Sequence, residues 1–203
     1  MAAIAITPRF EEALLNRALP VRVVFFDVDG VLTDGGLYFG PEGEQLKRFH
    51  TLDGHGIKLL RQAGIEPAVI TGRDSAALRM RLKALGVVHA VFGTEDKLPA
   101  AEQLLTQLGL TWAQAASMGD DWPDLPVLAR SALACVPPHA HAEVVAVAHY
   151  VTRAAGGQGA VRECCDLLLM ASGQYGALLQ QAMCGRHAPE HTATPAAAEQ
   201  GAL

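Results

Sequence analysis

Positive charge is in short supply in this chain of 203 residues, where 16 Lys and Arg stand against 21 Asp and Glu for a formal net charge of −5. No broad basic surface can be built from that balance, which sets nucleic acid aside as a partner. Long hydrophobic runs are missing as well, and no apolar stretch is long enough to span a bilayer. The opening residues, MAAIAITPRFEEALL, are interrupted by Pro8, Arg9, Glu11 and Glu12, so they lack the basic start and unbroken apolar centre of a signal peptide. Cysteine is scarce: Cys135, Cys164, Cys165 and Cys184 follow the spacing of neither a zinc knuckle nor a disulfide framework. Reduced thiols in a cytoplasmic protein, without a membrane partner, are the expectation.

What is present is a globular composition, 50% hydrophobic and 18% charged, sufficient for one domain with a real core. Short apolar runs occur at VRVVFFDV (21 to 28), EPAVIT (66 to 71), VVHAVF (87 to 92), AQAASMGD (113 to 120) and ALACVP (132 to 137). Each is bounded by Gly, Pro or Asp and reads as a strand buried on both faces. Between them GIKLLRQAG (56 to 64), SAALRMRLKALG (75 to 86) and KLPAAEQLLTQLGL (97 to 110) carry apolar residues at helical spacing, with Gly as a stop. This alternation predicts an α/β fold: a doubly wound, Rossmann-like parallel sheet with helices on both faces. Residues 1–19 are expected to form a helical extension and 20–172 the domain. A tail follows over 173–203, disordered beyond about residue 184.

Ligands of such sheets bind beyond the carboxyl ends of the strands. There this sequence places Asp27 and Asp29 in FFDVDGVLTDGG, Thr71 in VITGRD, Lys97 in TEDKLPAA, and Asp120, Asp121 and Asp124 in MGDDWPDLP. Acids, a hydroxyl and a lysine at one sheet edge suit phosphoryl transfer. Asp27 is the expected nucleophile, forming an aspartyl phosphate, and Asp29, two residues on, the expected acid and base. Two carboxylates facing a phosphate require a hard cation: Mg²⁺, or another divalent ion, on Asp27, Asp120 and the backbone carbonyl of Asp29, with support from Asp121 and Asp124. Thr71 would bond a phosphoryl oxygen and Lys97 neutralise charge. Blander readings stand beside these: an Asx-type turn at Asp27 and Asp29, a helix cap at Thr71, and an N-cap among the three later acids. Asp34 is expected to form the turn at Gly35 and Gly36 rather than to act in catalysis.

In this order and spacing, DVDGVLTD, ITGR, DK and GDDxxD resemble the four signatures of the haloacid dehalogenase superfamily of phosphotransferases. From about Val21 to Ser172 the chain is most similar to capless members that dephosphorylate an eight-carbon keto-sugar acid in lipopolysaccharide biosynthesis. Only LYFGPEGEQLKRFHTLDGH separates Gly36 from Gly56, room for a β-hairpin at about 37–50, with LYF and QLKRF as strands, but not for a cap domain. The resemblance implies a homotetramer. It implies substrate contacts at Asp29, His50, Thr51, Leu52, Asp53, Gly54, Lys58, Arg73, Arg81 and Lys97, and an interface role for Arg162. Leu52 stands where the family has Arg, and HAHA (139 to 142) replaces DAHP, which leaves a nine-carbon substrate as the alternative. A phospho-receiver module is the second alternative, disfavoured by Asp29 and the late GDDWPD. GGQGAVRE (156 to 163) lacks the Lys and preceding strand of a P-loop and reads as a turn into the following helix.

Overall fold

The elements run α1 Glu12–Ala18, β1 Val23–Phe26, β2 Tyr38–Gly40, β3 Gly43–Leu46, α2 Thr51–Gln62, β4 Glu66–Ile70, α3 Ala76–Leu85, β5 His89–Val91, α4 Lys97–Leu108, β6 Ala115–Met118, α5 Leu125–Leu128, β7 Leu133–Val136, α6 Ala142–Ala146, β8 Tyr150–Val151, α7 Ala160–Ala171 and α8 Tyr175–Met183. They come from a computed structural model that describes residues 10–185. Six strands form one sheet in the order β5-β4-β1-β6-β7-β8, every neighbouring pair parallel. From β1 the chain first builds outward through β4 and β5, then returns to build the other half from β6. The order therefore reverses between β1 and β6, the crevice where doubly wound sheets take their ligands.

The strands are apolar on both faces because both are covered. Val24 and Phe26 of β1 face a core with Ile57 and Leu60 of α2, Leu78 and Leu82 of α3, and Val161, Cys165 and Leu168 of α7. Val23 and Phe25 point the other way, toward Leu104 and Leu105 of α4 and Val127 of α5. Leu167, Leu168 and Leu169 are all fully buried, each contributing about 1.5–3 kcal/mol of burial free energy. Of the helical extension expected over 1–19, α1 occupies Glu12–Ala18; it closes on the buried Ala18 and packs against α7. Helix α3 starts at Ser75, whose hydroxyl accepts the Leu78 N–H at 3.3 Å, and stops at Gly86 with φ 70.

Several boundaries differ from the sequence expectation. Helix α2 begins at Thr51, five residues before Gly56, so Thr51 to Gly54 lie in its first turn rather than in a connecting segment. Strand β3 ends at Leu46, two residues into the QLKRF run, and pairs Gly40 with Gly43 so that only Pro41 and Glu42 form the turn. The hairpin leaves Phe39 65% and Leu46 66% exposed. Three elements were not foreseen: α6, five residues long, β8, two residues long, and α8, whose Tyr175 and Leu178 pack on the main core. The predicted disorder beyond about residue 184 falls almost entirely outside the described residues, as do residues 1–9. No helix among the described residues is long and apolar enough to cross a membrane.

Candidate active site

The Asp27 N–H continues the β1–β6 ladder by donating to the Met118 carbonyl at 3.0 Å, which sets its carboxylate at the crevice between those strands. Asp120 follows β6 by two residues. A Cβ on Gly30 would stand 2.6 Å from Asp120 Cγ, so the glycine leaves the space that this carboxylate fills. Oxygens of Asp27, Asp120 and Asp124 all lie within 4.8 Å of one another.

One cation answers these acids. Lys97, the first residue of α4, brings Nζ to 2.5 Å from Asp27 Oδ1 and 2.7 Å from Asp124 Oδ1. An ammonium is out of place at a helix N-terminus; here the two carboxylates account for it. The other oxygen of Asp124 accepts the N–H groups of Asp120 at 3.0 Å and Asp121 at 3.3 Å. The structure thereby separates the two supporting acids: Asp124 joins the cluster, whereas Asp121 accepts the Trp122 N–H at 2.8 Å and opens a 3-10 turn.

Three carboxylates facing one ammonium leave excess negative charge. Burial, with Asp124 alongside, pushes the Asp27 carboxyl up to about 6. Burial also raises Asp120 to about 7, with Asp27 and Asp124 adding to it. Burial works against the Lys97 ammonium, yet Asp27 and Asp124 more than offset it and hold its pKa above the ordinary lysine value. An all-oxygen set that resists ionising fits a hard divalent cation.

Asp29 turns toward the hairpin. Lys47, one residue past β3, hydrogen-bonds Asp29 Oδ1 and lies 2.6 Å from Glu44, its side chain only 1% exposed. Arg73 approaches the other Asp29 oxygen at 3.7 Å and Glu44 at 3.9 Å. Sequence reasoning placed Arg73 here and missed Lys47 and Glu44; their signal was two opposite charges three residues apart in an otherwise short insert. Thr71, buried just past β4, accepts the Arg73 N–H at 3.3 Å. Asp34 accepts the Gly36 N–H at 3.1 Å and an Arg48 N–H at 3.1 Å, the turn-forming role expected of it.

The other expected substrate contacts fall into two groups. His50 stands at the N-cap position of α2 without a side-chain cap, and its carbonyl accepts an Arg81 N–H at 3.1 Å, with Gly54 beside the same guanidinium. Thr51 and Leu52 are exposed, and Lys58 lies further along α2. Asp53 departs from expectation: it is 1% exposed and accepts the N–H groups of Arg162 at 2.8 Å and Gly159 at 3.3 Å. A carboxylate spent on two buried N–H groups is not presented to a substrate. The Arg162 guanidinium pairs with Asp166 at 2.7 Å within its own chain. His141 accepts the Trp122 ring N–H at 3.1 Å, and His149 accepts the Ala134 N–H at 2.9 Å.

No model of a protein family matches the chain. A 3-deoxy-D-manno-octulosonate 8-phosphate phosphatase of Yersinia pestis is 45% identical to it over 158 residues, 78% of this chain and 84% of that protein. The crystal structure of such a phosphatase from Moraxella catarrhalis, in complex with magnesium ion, phosphate ion and a KDO molecule, matches with a TM-score of 0.83 at 36% identity. That match covers 85% of this chain and 99% of that one. A Legionella pneumophila structure described as a haloacid dehalogenase superfamily (subfamily III A) hydrolase matches at TM-score 0.81 and 39% identity, over 84% and 94% of the two chains. With strand order, acid cluster and relatives in agreement, the chain belongs to the 3-deoxy-D-manno-octulosonate 8-phosphate phosphatase family of the haloacid dehalogenase superfamily.

Proposed function

We propose that this protein is a Mg²⁺-dependent phosphatase that hydrolyses 3-deoxy-D-manno-octulosonate 8-phosphate to the free sugar acid and phosphate, in lipopolysaccharide biosynthesis. The observation that carries the reading is Lys97 bridging Asp27 and Asp124 at the strand crevice, with Asp120 completing the acid cluster. Asp27 attacks phosphorus, and the bond from phosphorus to the sugar oxygen breaks as Asp29 gives that oxygen a proton. Water then attacks the phosphoryl group on Asp27, Asp29 takes back a proton, and the phosphorus bond to Asp27 breaks. Asp27, Asp120 and the Asp29 backbone carbonyl would hold Mg²⁺, which when bound offsets the charge of phosphate and acids. Thr71 and Lys97 serve the transferring phosphoryl group. Lys97 also keeps Asp27 oriented while Asp124 fixes the backbone that carries Asp120.

Arg73, already beside Asp29, is the foremost contact for the anionic substrate, and Arg81 with His50 and Gly54 lies at the next helix start. The exposed Leu52 there is the observation that keeps a nine-carbon substrate in the comparison. A homotetramer is part of the proposal, supported by the exposed Tyr38, Phe39 and Leu46 of the hairpin. Cytoplasmic residence accords with four free cysteines, three of them buried.

The test is phosphate release from the eight-carbon and nine-carbon keto-sugar acid phosphates, with Mg²⁺ and with chelator. Mg²⁺-dependent turnover with the higher kcat/KM for the eight-carbon compound is expected. Preference for the nine-carbon compound overturns the substrate. No turnover together with a stable phosphoprotein overturns the enzyme in favour of a receiver.

A further inference from the structure

The loop from Arg153 to Gly159 lies backbone to backbone on the loop that carries Asp29. The Gly157 N–H donates to the Val31 carbonyl at 3.0 Å. A Cβ on Gly156 would overlap the Gly30 carbonyl group and stand 3.0 Å from the Thr33 carbonyl oxygen. One on Gly157 would stand 2.5 Å from both Asp34 N and Thr33 C. Only glycine permits so close an approach at either position. Gly30 is thus confined on two sides, by Gly156 against its carbonyl and by the Asp120 carboxylate against its Cα.

Two carboxylates hold the 153–159 loop from behind. Asp53, buried on α2, accepts the N–H groups of Gly159 and Arg162 at 3.3 and 2.8 Å. Glu163 accepts the N–H groups of Arg153 and Ala154, each at 3.1 Å, and the Tyr150 hydroxyl. On the inner side the Thr33 hydroxyl takes the N–H groups of Gly30 at 3.4 Å and Gly35 at 3.2 Å. The segment between Asp29 and Asp34 is gripped from within by Thr33 and from without by two glycines that Asp53 and Glu163 support.

We propose that Asp53, Gly156 and Gly157 are positioning residues of the phosphatase, which act through the 153–159 loop to fix the Asp29–Gly30 backbone and with it the direction of the Asp29 carboxylate. The inference rests on the function proposed above, in which Asp29 protonates the leaving group. It assigns Asp53 a place in catalysis without substrate contact, and it gives the glycine-rich GGQG segment a task other than holding phosphate. A displacement of about 1 Å at a proton donor costs about a hundredfold in rate. That loss falls on the step needing the proton.

Single-turnover kinetics with two substrates test it: the sugar phosphate, whose alkoxide leaving group needs a proton, and p-nitrophenyl phosphate, whose leaving group does not. Gly156→Ala should fold, by circular dichroism and melting. It should lose about a hundredfold in the first chemical step on the sugar phosphate, with KM changed by less than about threefold and a far smaller loss on the aryl ester. Asp53→Asn, which keeps volume but not both acceptor contacts, should show the same pattern at about tenfold and carries the test where Gly156→Ala does not fold. Gly64→Ala is the control: Gly64 has φ 75 with nothing within 4 Å of a Cβ there, and its rates should be those of the wild type. Equal losses on both substrates, or no loss in the folded variants, overturn the brace. Wild-type protein without turnover of the sugar phosphate overturns the proposed function and the brace with it.

Discussion

Lys47 leaves the hairpin and is buried against Asp29, so the acid of the proposed reaction is held by an element outside the parallel sheet. Its ammonium also separates Asp29 from Glu44. Lys47→Met would set two carboxylates together with only Arg73 near them. The expected cost is on the order of 3 kcal/mol in a urea melt, as for other broken buried pairs, with kcat reduced by about tenfold or more. A variant with unchanged stability and rate would show that Asp29 does not depend on this contact.

Lys97→Met should abolish measurable turnover, a loss of about a hundredfold or more in steady-state phosphate release. The substitution removes the ammonium that is bonded to both Asp27 and Asp124. Lys97→Arg should not restore it, because a planar guanidinium cannot take the place of a point charge reached from the start of α4. Recovery in the arginine variant would count against the specific geometry.

Asp29→Asn should retain the fold and bind Mg²⁺ in calorimetry, since its proposed metal ligand is the backbone carbonyl, yet lose about 10²–10⁴-fold in kcat for want of a proton donor. Asp27→Asn should lose turnover and weaken Mg²⁺ as well. Near-normal turnover of the Asp29 variant removes that residue from the acid role.

The acid cluster makes the metal-free protein sensitive to pH. In the folded chain Asp27 and Asp120 keep their protons up to about 6 and about 7, against 3.8 for the ordinary carboxyl. Between these values the folded state binds more protons than the unfolded one, so unfolding free energy falls as pH rises from about 4 to about 7. Thermal melts with chelator should show the wild type losing stability over this window relative to Asp120→Asn, and Mg²⁺ should reverse the loss. Parallel melts for the two proteins would contradict the assignment.

Five of the six sheet strands were legible because VVFF, PAVI and their counterparts are buried on both faces and read as unbroken apolar runs. Tyr150–Val151 was not, being too short for any periodicity. Helix α2 concealed its start because Thr51 to Gly54 carry two polar residues and a glycine where an apolar stripe would show. Asp27, Lys97, Asp120 and Asp124 were legible since each ends a strand or opens a helix, and topology alone brings such positions together. Lys47 was not, and Asp53 was named only as a substrate contact, its hold on the Gly159 and Arg162 N–H groups unforeseen. Asp53 meets partners 106 and 109 residues away, and Lys47 is a charged residue in a hairpin that local pattern assigns to solvent.

Asp124 accepts two backbone N–H groups on one oxygen and the Lys97 ammonium on the other, with Gly119 so near that a Cβ there would stand 2.3 Å from Asp124 Cγ. A carboxylate so enclosed is specified by length as much as by charge. Exchange for glutamate would move the acceptor by a methylene, and either the peptide of Asp120 or the ammonium would go unmet. At this position retaining the charge offers no protection, and drift toward the other acidic residue is as closed a route as drift toward a neutral one.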